Sequence, residues 1–460
     1  MENYQAVFTK IKSVSPIEGA DRIMKAEILT GVQLVVGKDV KQGDEVVYFE
    51  ANTQVNKELL SDLNLFANSS LNKDQTVKGY VSDNGKVKTL HLKGVKSEGM
   101  IIRFEDFRKW MKVKTGYTVD FTEDVSENTI LGVLIAKRYE VEKKNSVKKE
   151  GQKKKKGKQV FKDYSLEYDN FDEHIKTTNF KYAKNLINEG DTVIVTPKIH
   201  GTSFRSGYVN TVRTDYTYVI SWWKALINIF LPEKWKFWKE EVATKKNIGR
   251  TLVTGTRRTI VKENSEGFHG SNQYRIDVTN KLQELLKKIS GDEHDIVFYG
   301  EIYGFVNGTS IMPPHDTSRM PKEYKKKYHE KMVYKYGCQP DEYKFKIYRV
   351  TVDGKDLAYD VFKHVIPEEY LFEPIKRITV TEDWDAFVKE IEYLTERPDV
   401  QTEDYYDPEH ISEGVILRVE NGDRPILVKS KSFFFLNAEL EQEEETVEEE
   451  KGEENEFEGT

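Results

Sequence analysis

The first hundred residues break into six short stretches rich in β-branched and aromatic residues, a punctuation that limits what this part of the chain can fold into. The stretches lie at 4–14, 26–28, 33–36, 45–49, 87–92 and 100–104, and Gly19, Gly31, Gly43, Gly85, Gly94 and Gly99 separate or flank them. Glycine at such intervals supplies turns. Several short strands at this spacing predict a small barrel or sandwich, and an OB-type β-barrel accounts for the size.

From 177 to 436 the pattern changes to mixed α+β. Strands are expected at 192–197, 203–209, 251–254, 296–299, 343–352, 414–419 and 426–429, and helices at 278–290, 324–334 and 384–394, with Thr381 as a possible cap for the last. Residues 219–231 carry Val219, Trp223, Leu226, Ile227 and Phe230 at helical spacing, and Pro232 ends the run. This segment and its continuation hold four of the six Trp, namely Trp222, Trp223, Trp235 and Trp238. A packed surface helix is the commonest source of such a stripe. An interfacial membrane helix and a base-stacking platform are the rarer ones.

Charge is unevenly distributed. The formal net charge is −7, but residues 439–460 carry twelve Glu against Lys451, and residues 143–158 carry nine Lys against Glu150. Without the acidic tail the remaining 438 residues stand at +4, which suits a polyanionic partner without naming it. The Lys run buries no apolar face and reads either as a solvated linker or as a sequence-independent phosphate contact. The expected organisation is therefore an OB-type module at 1–142, a Lys-rich linker or loop at 143–176, a catalytic domain at 177–436 and a disordered acidic tail at 437–460. One cysteine, Cys338, excludes an internal disulfide framework and a Cys-rich zinc site and fits a reducing compartment. The start of the chain shows no apolar signal core, and no uncharged apolar run of about 18 residues appears, so a cytoplasmic protein with no membrane partner is expected.

The chemistry concentrates in Val195-Thr196-Pro197-Lys198-Ile199-His200-Gly201-Thr202-Ser203-Phe204-Arg205. A lysine leaving a strand, with Gly three residues later, sets an amine beside backbone that a phosphate can approach. K-x-x-G alone recurs by chance and gains weight only with partners. Three follow in order: Phe298 to Gly304, which places Glu301 at a strand end, Ser412 to Arg418 with Glu413, and Val428-Lys429-Ser430-Lys431. Lys429 and Lys431, spaced i, i+2 on a strand, project to one face.

In this order the motifs resemble motifs I, III, IV and V of the covalent nucleotidyltransferase superfamily of ATP-dependent ligases and mRNA capping enzymes. The K-x-H-G-T form of the first is similar to the RNA ligase 2 type. Pro16 to Ile23, with Gly43 to Glu50, is similar to the N-terminal OB module of RNA ligases that place OB first. The resemblance implies an OB-type barrel followed by a mixed α/β nucleotidyltransferase, ATP-grasp-like ligase domain built on antiparallel sheets. It covers 180–436 well and leaves most of 210–248, the Lys run and the tail without a counterpart.

The resemblance also implies roles. Lys198 is the nucleophile that takes AMP from ATP as a lysyl-AMP phosphoramidate, with Ile199, His200 and Gly201 beside the nucleotide. An ammonium is no nucleophile, so neighbouring cations or desolvation must assist it, and Lys429 and Lys431 are the candidate cations. Glu301 accepts from the ribose hydroxyls, and Glu413 helps hold Mg²⁺ or Mn²⁺, a hard cation that leans on substrate phosphates. His200 stands where many ligases have Asp, which makes direct metal ligation less secure there and leaves it to orient a phosphate or to assist later steps. Thr256-Arg257 looks like the S/T-R signature, with Arg258 as fallback. Tyr348 occupies the adenine-stacking place of motif IIIa, but Arg349 replaces the usual Asp, and Phe345 is the alternative stacker.

The expected activity is that of a monomeric ATP-dependent RNA ligase that joins 5′-phosphate and 3′-hydroxyl ends of nicked or broken RNA in repair. A DNA ligase or a GTP-dependent capping guanylyltransferase is the first rival, disfavoured by His200 and by the leading OB module. A non-catalytic nucleic-acid-binding protein is the second, disfavoured by the full set of Lys198, Glu301, Glu413, Lys429 and Lys431.

Overall fold

The computed structural model describes residues 3–139, 163–230, 240–262, 271–396 except 318, 319, 321 and 329, and 410–438 except 421 and 423. The Lys run, Trp235, Trp238, Pro232 and the tail from 439 lie outside these residues.

The N-terminal module is built on the strand Ala6–Lys10, which pairs antiparallel with Glu45–Glu50, itself paired with Gly99–Arg103. A second sheet joins Ser13–Pro16, Ile23–Ile28 and Val32–Gly37. Alternate residues of the central strands serve two cores, as the two-residue strand period requires. Ala6, Phe8, Val47 and Phe49 pack with Phe104, Phe107, Trp110 and Met111 of the helix Phe104–Thr115. Val7, Val46 and Tyr48 pack with Ala26, Ile28 and Leu34 of the second sheet. Strand expectations in this module are met at 45–49 and 33–36 to within a residue or two. Its helices, Lys57–Asp62 and Phe104–Thr115, were not expected. Phe104, read as the end of a strand, opens the longer one.

The catalytic part is built mainly on two sheets among the described residues. The larger is ordered Ile260–Val261, Glu240–Gly255, Thr202–Val219, Ile296–Val306, Tyr343–Val352 and Lys355–Asp356. The smaller is ordered Thr178–Asn179, Ile426–Lys431, Gly414–Val419, Thr192–Pro197 and Lys376–Thr379. All pairs are antiparallel except Thr178–Asn179 with Ile426–Lys431. The helix Gln273–Ser290 covers the larger sheet with Tyr274, Val278, Leu282 and Leu286, a four-residue stripe, and Trp384–Glu396 covers the smaller with Phe387, Val388 and Ile391.

Four expectations change. The strand Tyr164–Tyr168, inside the stretch read as linker, pairs with Thr211–Asp215, so the larger sheet recruits chain from before residue 177. Strands 203–209 and 251–254 are parts of a long hairpin, Thr202–Val219 with Glu240–Gly255. The helix expected at 324–334 is confined to Lys322–Tyr328, and Lys331–Met332 forms a strand against His315–Asp316. The cap of the last helix is Asp383, whose carboxylate accepts the Ala386 amide at 2.9 Å, rather than Thr381.

The two parts dock through polar and aromatic contacts. Lys181 of the catalytic part pairs with Glu50 and lies over the rings of Tyr48 and Tyr182. Lys96 bonds Glu396 at 3.0 Å, and His91 packs against Phe433 and Phe434.

Candidate active site

The chain passes from the smaller sheet to the larger through four residues, 198–201, between Thr192–Pro197 and Thr202–Val219. That crossover is pinned on both sides. The Lys198 amide donates to the Gly414 carbonyl at 2.9 Å, and the His200 amide donates to the Tyr336 hydroxyl at 2.8 Å. Gly201 lies so close to the Ile302 carbonyl that a Cβ would overlap it, and that Cβ would sit 2.9 Å from Glu301 Cγ. Gly414 adopts φ +134°, a conformation that side chains resist, and brings Glu413 under the crossover.

Lys198 Nζ stands 2.8 Å from Glu413 Oε1, and Lys431 Nζ stands 3.6 Å from the same oxygen. The other oxygen, Glu413 Oε2, is buried without a hydrogen-bond partner. A buried carboxylate oxygen left unpaired is costly and fits a cation that would complete it. Among the described residues no three His, Cys, Asp or Glu side chains group as a ready metal site. This donor set therefore suits a hard divalent ion that also takes oxygens from a phosphate ligand.

Glu301 lies opposite Ser203 in the ladder, and Ser203 Oγ donates to its Oε2 at 3.3 Å. Burial pushes the Glu301 carboxyl up to about 7, with Glu413 adding to the rise and Lys198 opposing it. Lys429 and Lys431 both face the cavity, while Ser430 between them turns to Thr395 at 2.9 Å, the alternation expected of a strand.

Tyr348 owes its direction to a β-bulge. Tyr299 pairs with Arg349 and Gly300 with Ile347, so Tyr348 is the extra residue. The bulge lets Ile347 and Val350 both face the core while Tyr348 and Arg349 line the cavity. Phe345 is on the core side, stacked on Tyr370 at 4.6 Å and edge-on to Phe204 at 5.7 Å, and does not reach the cavity. Arg349 is locked to Asp356, Nε to Oδ1 at 2.5 Å and Nη2 to Oδ2 at 3.0 Å, and sits over the Tyr299 ring.

Several residues at the cavity escaped the motif reading. His174 Nδ1 is 2.6 Å from the Tyr348 hydroxyl. Burial, followed by the charges of Arg205, Arg257 and Arg349, pulls its pKa down to about 3, so the ring is neutral. Arg418 donates to the carbonyls of Tyr348 at 3.1 Å and Leu357 at 3.0 Å, bracing the bulge from behind. Arg205, almost fully buried, donates to the carbonyls of Phe171, Asp172, Thr256 and Thr259. It thereby ties the segment that leads to His174 to the loop that presents Arg257. Arg205 and Arg418 stand inside the quoted motifs and carried a signal in their alternation. Nothing in the local sequence marks His174.

His200 points its ring into a cluster with His315, Tyr334 and Phe435, at centroid distances of 5.0, 4.8 and 4.9 Å. Its packing anchors the crossover. The cavity measures about 320 Å³ and is lined by Lys198, Ile199, His200, Gly201, Arg257, Glu301, Tyr348, Glu413, Lys429 and Lys431 of the expected residues, together with His174, Arg349 and Arg418. Six Lys and Arg against two Glu make it a site for a polyanion, with an aromatic ring on one wall and a lysine held by a carboxylate on another.

A family model described as RNA ligase matches residues 191–431, and one described as an OB-fold domain matches residues 5–104. Similar solved structures include a Naegleria gruberi RNA ligase mutant with ATP and Mn, at 15% identity and TM-score 0.53, with 95% of this chain and 98% of that chain covered. The Naegleria gruberi RNA ligase with PPi is similar at 14% identity and TM-score 0.51, covering 96% and 98%. A mutant of the same enzyme with AMP and Mn aligns at 13% identity and TM-score 0.51, covering 95% and 98%. At such identities the likeness is one of fold. No curated protein matches the chain.

Proposed function

The chain belongs to the RNA ligase family, and from that premise we propose that it uses ATP to join a 5′-phosphate to a 3′-hydroxyl RNA end through a lysyl-AMP on Lys198. The single observation that carries this reading is the placement of Lys198 Nζ on Glu413 Oε1 at 2.8 Å, inside a cavity lined by cations. ATP as the nucleotide is also in keeping with the similar solved structures, which are complexes with ATP or AMP and Mn.

In the first step Lys198 Nζ bonds to the α-phosphorus, the bond to the β-phosphate oxygen breaks, and pyrophosphate leaves with the electron pair. Glu413 Oε1 is placed to take the proton that Nζ sheds. Lys429, Lys431 and Arg257 neutralise the phosphates, and Glu301 receives the ribose hydroxyls. Tyr348 offers its ring to adenine. The RNA 5′-phosphate oxygen then displaces Lys198 from the AMP phosphorus, and the 3′-hydroxyl finally displaces AMP. Those two steps depend on positioning, which Arg205 and His200 serve by fixing the loops of Arg257 and Lys198.

Glu413, through the otherwise unpaired Oε2, would hold Mg²⁺ or Mn²⁺ together with ligand phosphates. Bound there, the cation supplies charge neutralisation and Lewis acidity at the phosphates. The one cysteine of the sequence, Cys338, is buried and forms no disulfide, which accords with a reducing, cytoplasmic setting. Among the described residues no helix is long and apolar enough to cross a membrane.

Incubation with radiolabelled ATP, followed by denaturing electrophoresis, is expected to yield a covalent adduct that Lys198→Ala abolishes. An adduct with GTP alone, or an undiminished adduct in the variant, would overturn the assignment. A ligation panel with RNA or DNA on each side of a nick then tests the RNA preference.

A further inference from the structure

The hairpin Thr202–Val219 with Glu240–Gly255 outgrows the sheet that it belongs to. Its third strand, Tyr164–Tyr168, stops pairing at Asp215, whereas the two hairpin strands stay paired to Val219 and Glu240. At about 3.3 Å per residue, the end of the arm stands about 13 Å beyond its last flanking strand. There it carries the helix Trp222–Phe230.

That helix has its polarity reversed. Lys224, Ala225 and Asn228 are its half-buried positions, and Lys224 is engaged with Glu240 at 2.7 Å. Trp222 is 75% exposed and Ile229 is 71% exposed, and Trp223, Leu226 and Ile227 are exposed with them. At 100° per residue, positions 222, 223, 226, 227 and 229 span an outward arc of about 160° with no charge on it. The expectation of a packed surface helix is therefore not met, because the apolar stripe faces away from the protein.

We propose that this tip docks on an anionic lipid bilayer, lying in the headgroup region rather than spanning it. A bilayer surface supplies an apolar layer for a convex arc of Trp, Leu and Ile, and an anionic one adds attraction for a positively charged sequence next to it. By sequence, the next nine residues, 231–239, carry three Lys against one Glu, a positive balance that complements anionic headgroups. Single-stranded RNA matches the tip less well. A stacking platform needs cations among its rings, and the outward arc of this helix carries none, its one lysine lying on the inner side against Glu240. The arm holds the apolar tip clear of the cleft, so docking leaves the ligase site open.

Full-length protein sedimented with mixed phosphatidylcholine and phosphatidylglycerol vesicles tests the idea against pure phosphatidylcholine vesicles. The expected result is partitioning about tenfold stronger on the anionic vesicles. Substituting Trp222→Ser, Leu226→Ser and Ile229→Ser together should lower it about tenfold while thermal unfolding and AMP-adduct formation stay as in wild type. Val113→Ser, at a position 88% exposed on the N-terminal module, should sediment like wild type and controls for general stickiness. The proposal is overturned if wild type stays in the supernatant with anionic vesicles, or if the triple variant sediments equally. It is also overturned if ultracentrifugation without lipid shows a dimer that the triple variant abolishes, since a second copy would then be the occupant.

Discussion

The Tyr348 hydroxyl and His174 Nδ1 are 2.6 Å apart and join two residues that are 174 positions apart in the chain. Burial holds the imidazole neutral and raises the Tyr348 phenol well above its usual range, so the two share one neutral hydrogen bond whose direction follows the histidine tautomer. The bond fixes the ring that the proposed site offers to adenine. His174→Phe removes the hydrogen-bond partner and keeps the bulk, and should raise the KM for ATP by about 3- to 10-fold, the value of one hydrogen bond of about 0.5–1.5 kcal/mol. Adduct yield at saturating ATP should hold. Tyr348→Phe should cost a similar amount, and the double variant should cost less than the sum of the two. Fully additive effects would show that the pair does not act as a unit.

Gly201→Ala sets a methyl into the Ile302 carbonyl and against Glu301. The crossover must shift, and Lys198 shifts with it. A displacement of about 1 Å at a reacting group costs on the order of 100-fold in rate. Single-turnover adduct formation should fall by about that factor while the far-UV spectrum and melting temperature change little. A wild-type rate would show that the crossover tolerates the displacement.

Arg349 and Asp356 form an ion pair whose side chains are 3% and 2% exposed. Removing one partner strands the other, so Asp356→Ala should destabilise by about 3–5 kcal/mol. Replacing both, Arg349→Met with Asp356→Leu, should recover most of that loss in urea unfolding. A double variant as unstable as the single one would mean that the pair contributes more than mutual neutralisation.

Stability should fall as pH rises through neutrality. At the contact between the two parts, burial pushes the Glu98 carboxyl up from 4.5 to about 7, and Glu396 and Glu392 add to the rise against Lys181 and Lys96. Folding therefore favours the protonated form. This contribution is fully present below about pH 4.5 and is lost as pH climbs through about 7. Glu98→Gln should flatten part of the decline in melting temperature between pH 5 and pH 8, and each 1 kcal/mol corresponds to about 2–4 °C for a domain of this size. Parallel curves for variant and wild type would assign the pH dependence elsewhere, Glu301 being the next candidate because its carboxyl is raised in the same way.

Much of the frame was legible in the chain. The strands Thr192–Pro197, Tyr343–Val352 and Gly414–Val419 coincide with their expected limits, because buried β-branched and aromatic runs ending in Pro, Gly or charge have few alternatives. The i, i+2 rule sufficed to put Lys429 and Lys431 on one face. The K-x-H-G-T string identified the crossover because only glycine fits against Ile302 there.

The tertiary structure decided what local pattern leaves open. The choice between Tyr348 and Phe345 rests on a bulge, and a bulge depends on pairing with Ile296–Val306, which no window of sequence contains. His174 reaches Tyr348 only after Arg205 has drawn in the carbonyls of Phe171 and Asp172, a long-range contact from a single buried guanidinium. The ring of His200 turns toward His315 and Phe435 because residues more than a hundred positions away fill that side of the crossover. The Trp-rich helix read as a packed stripe, yet its apolar arc faces outward, because periodicity reports that a face exists and not what lies opposite it. The chemical groups and their order along the chain are thus written in the sequence, where covalent spacing and strand period act. Their distances and directions come from long-range pairing and burial, which only the assembled sheets supply.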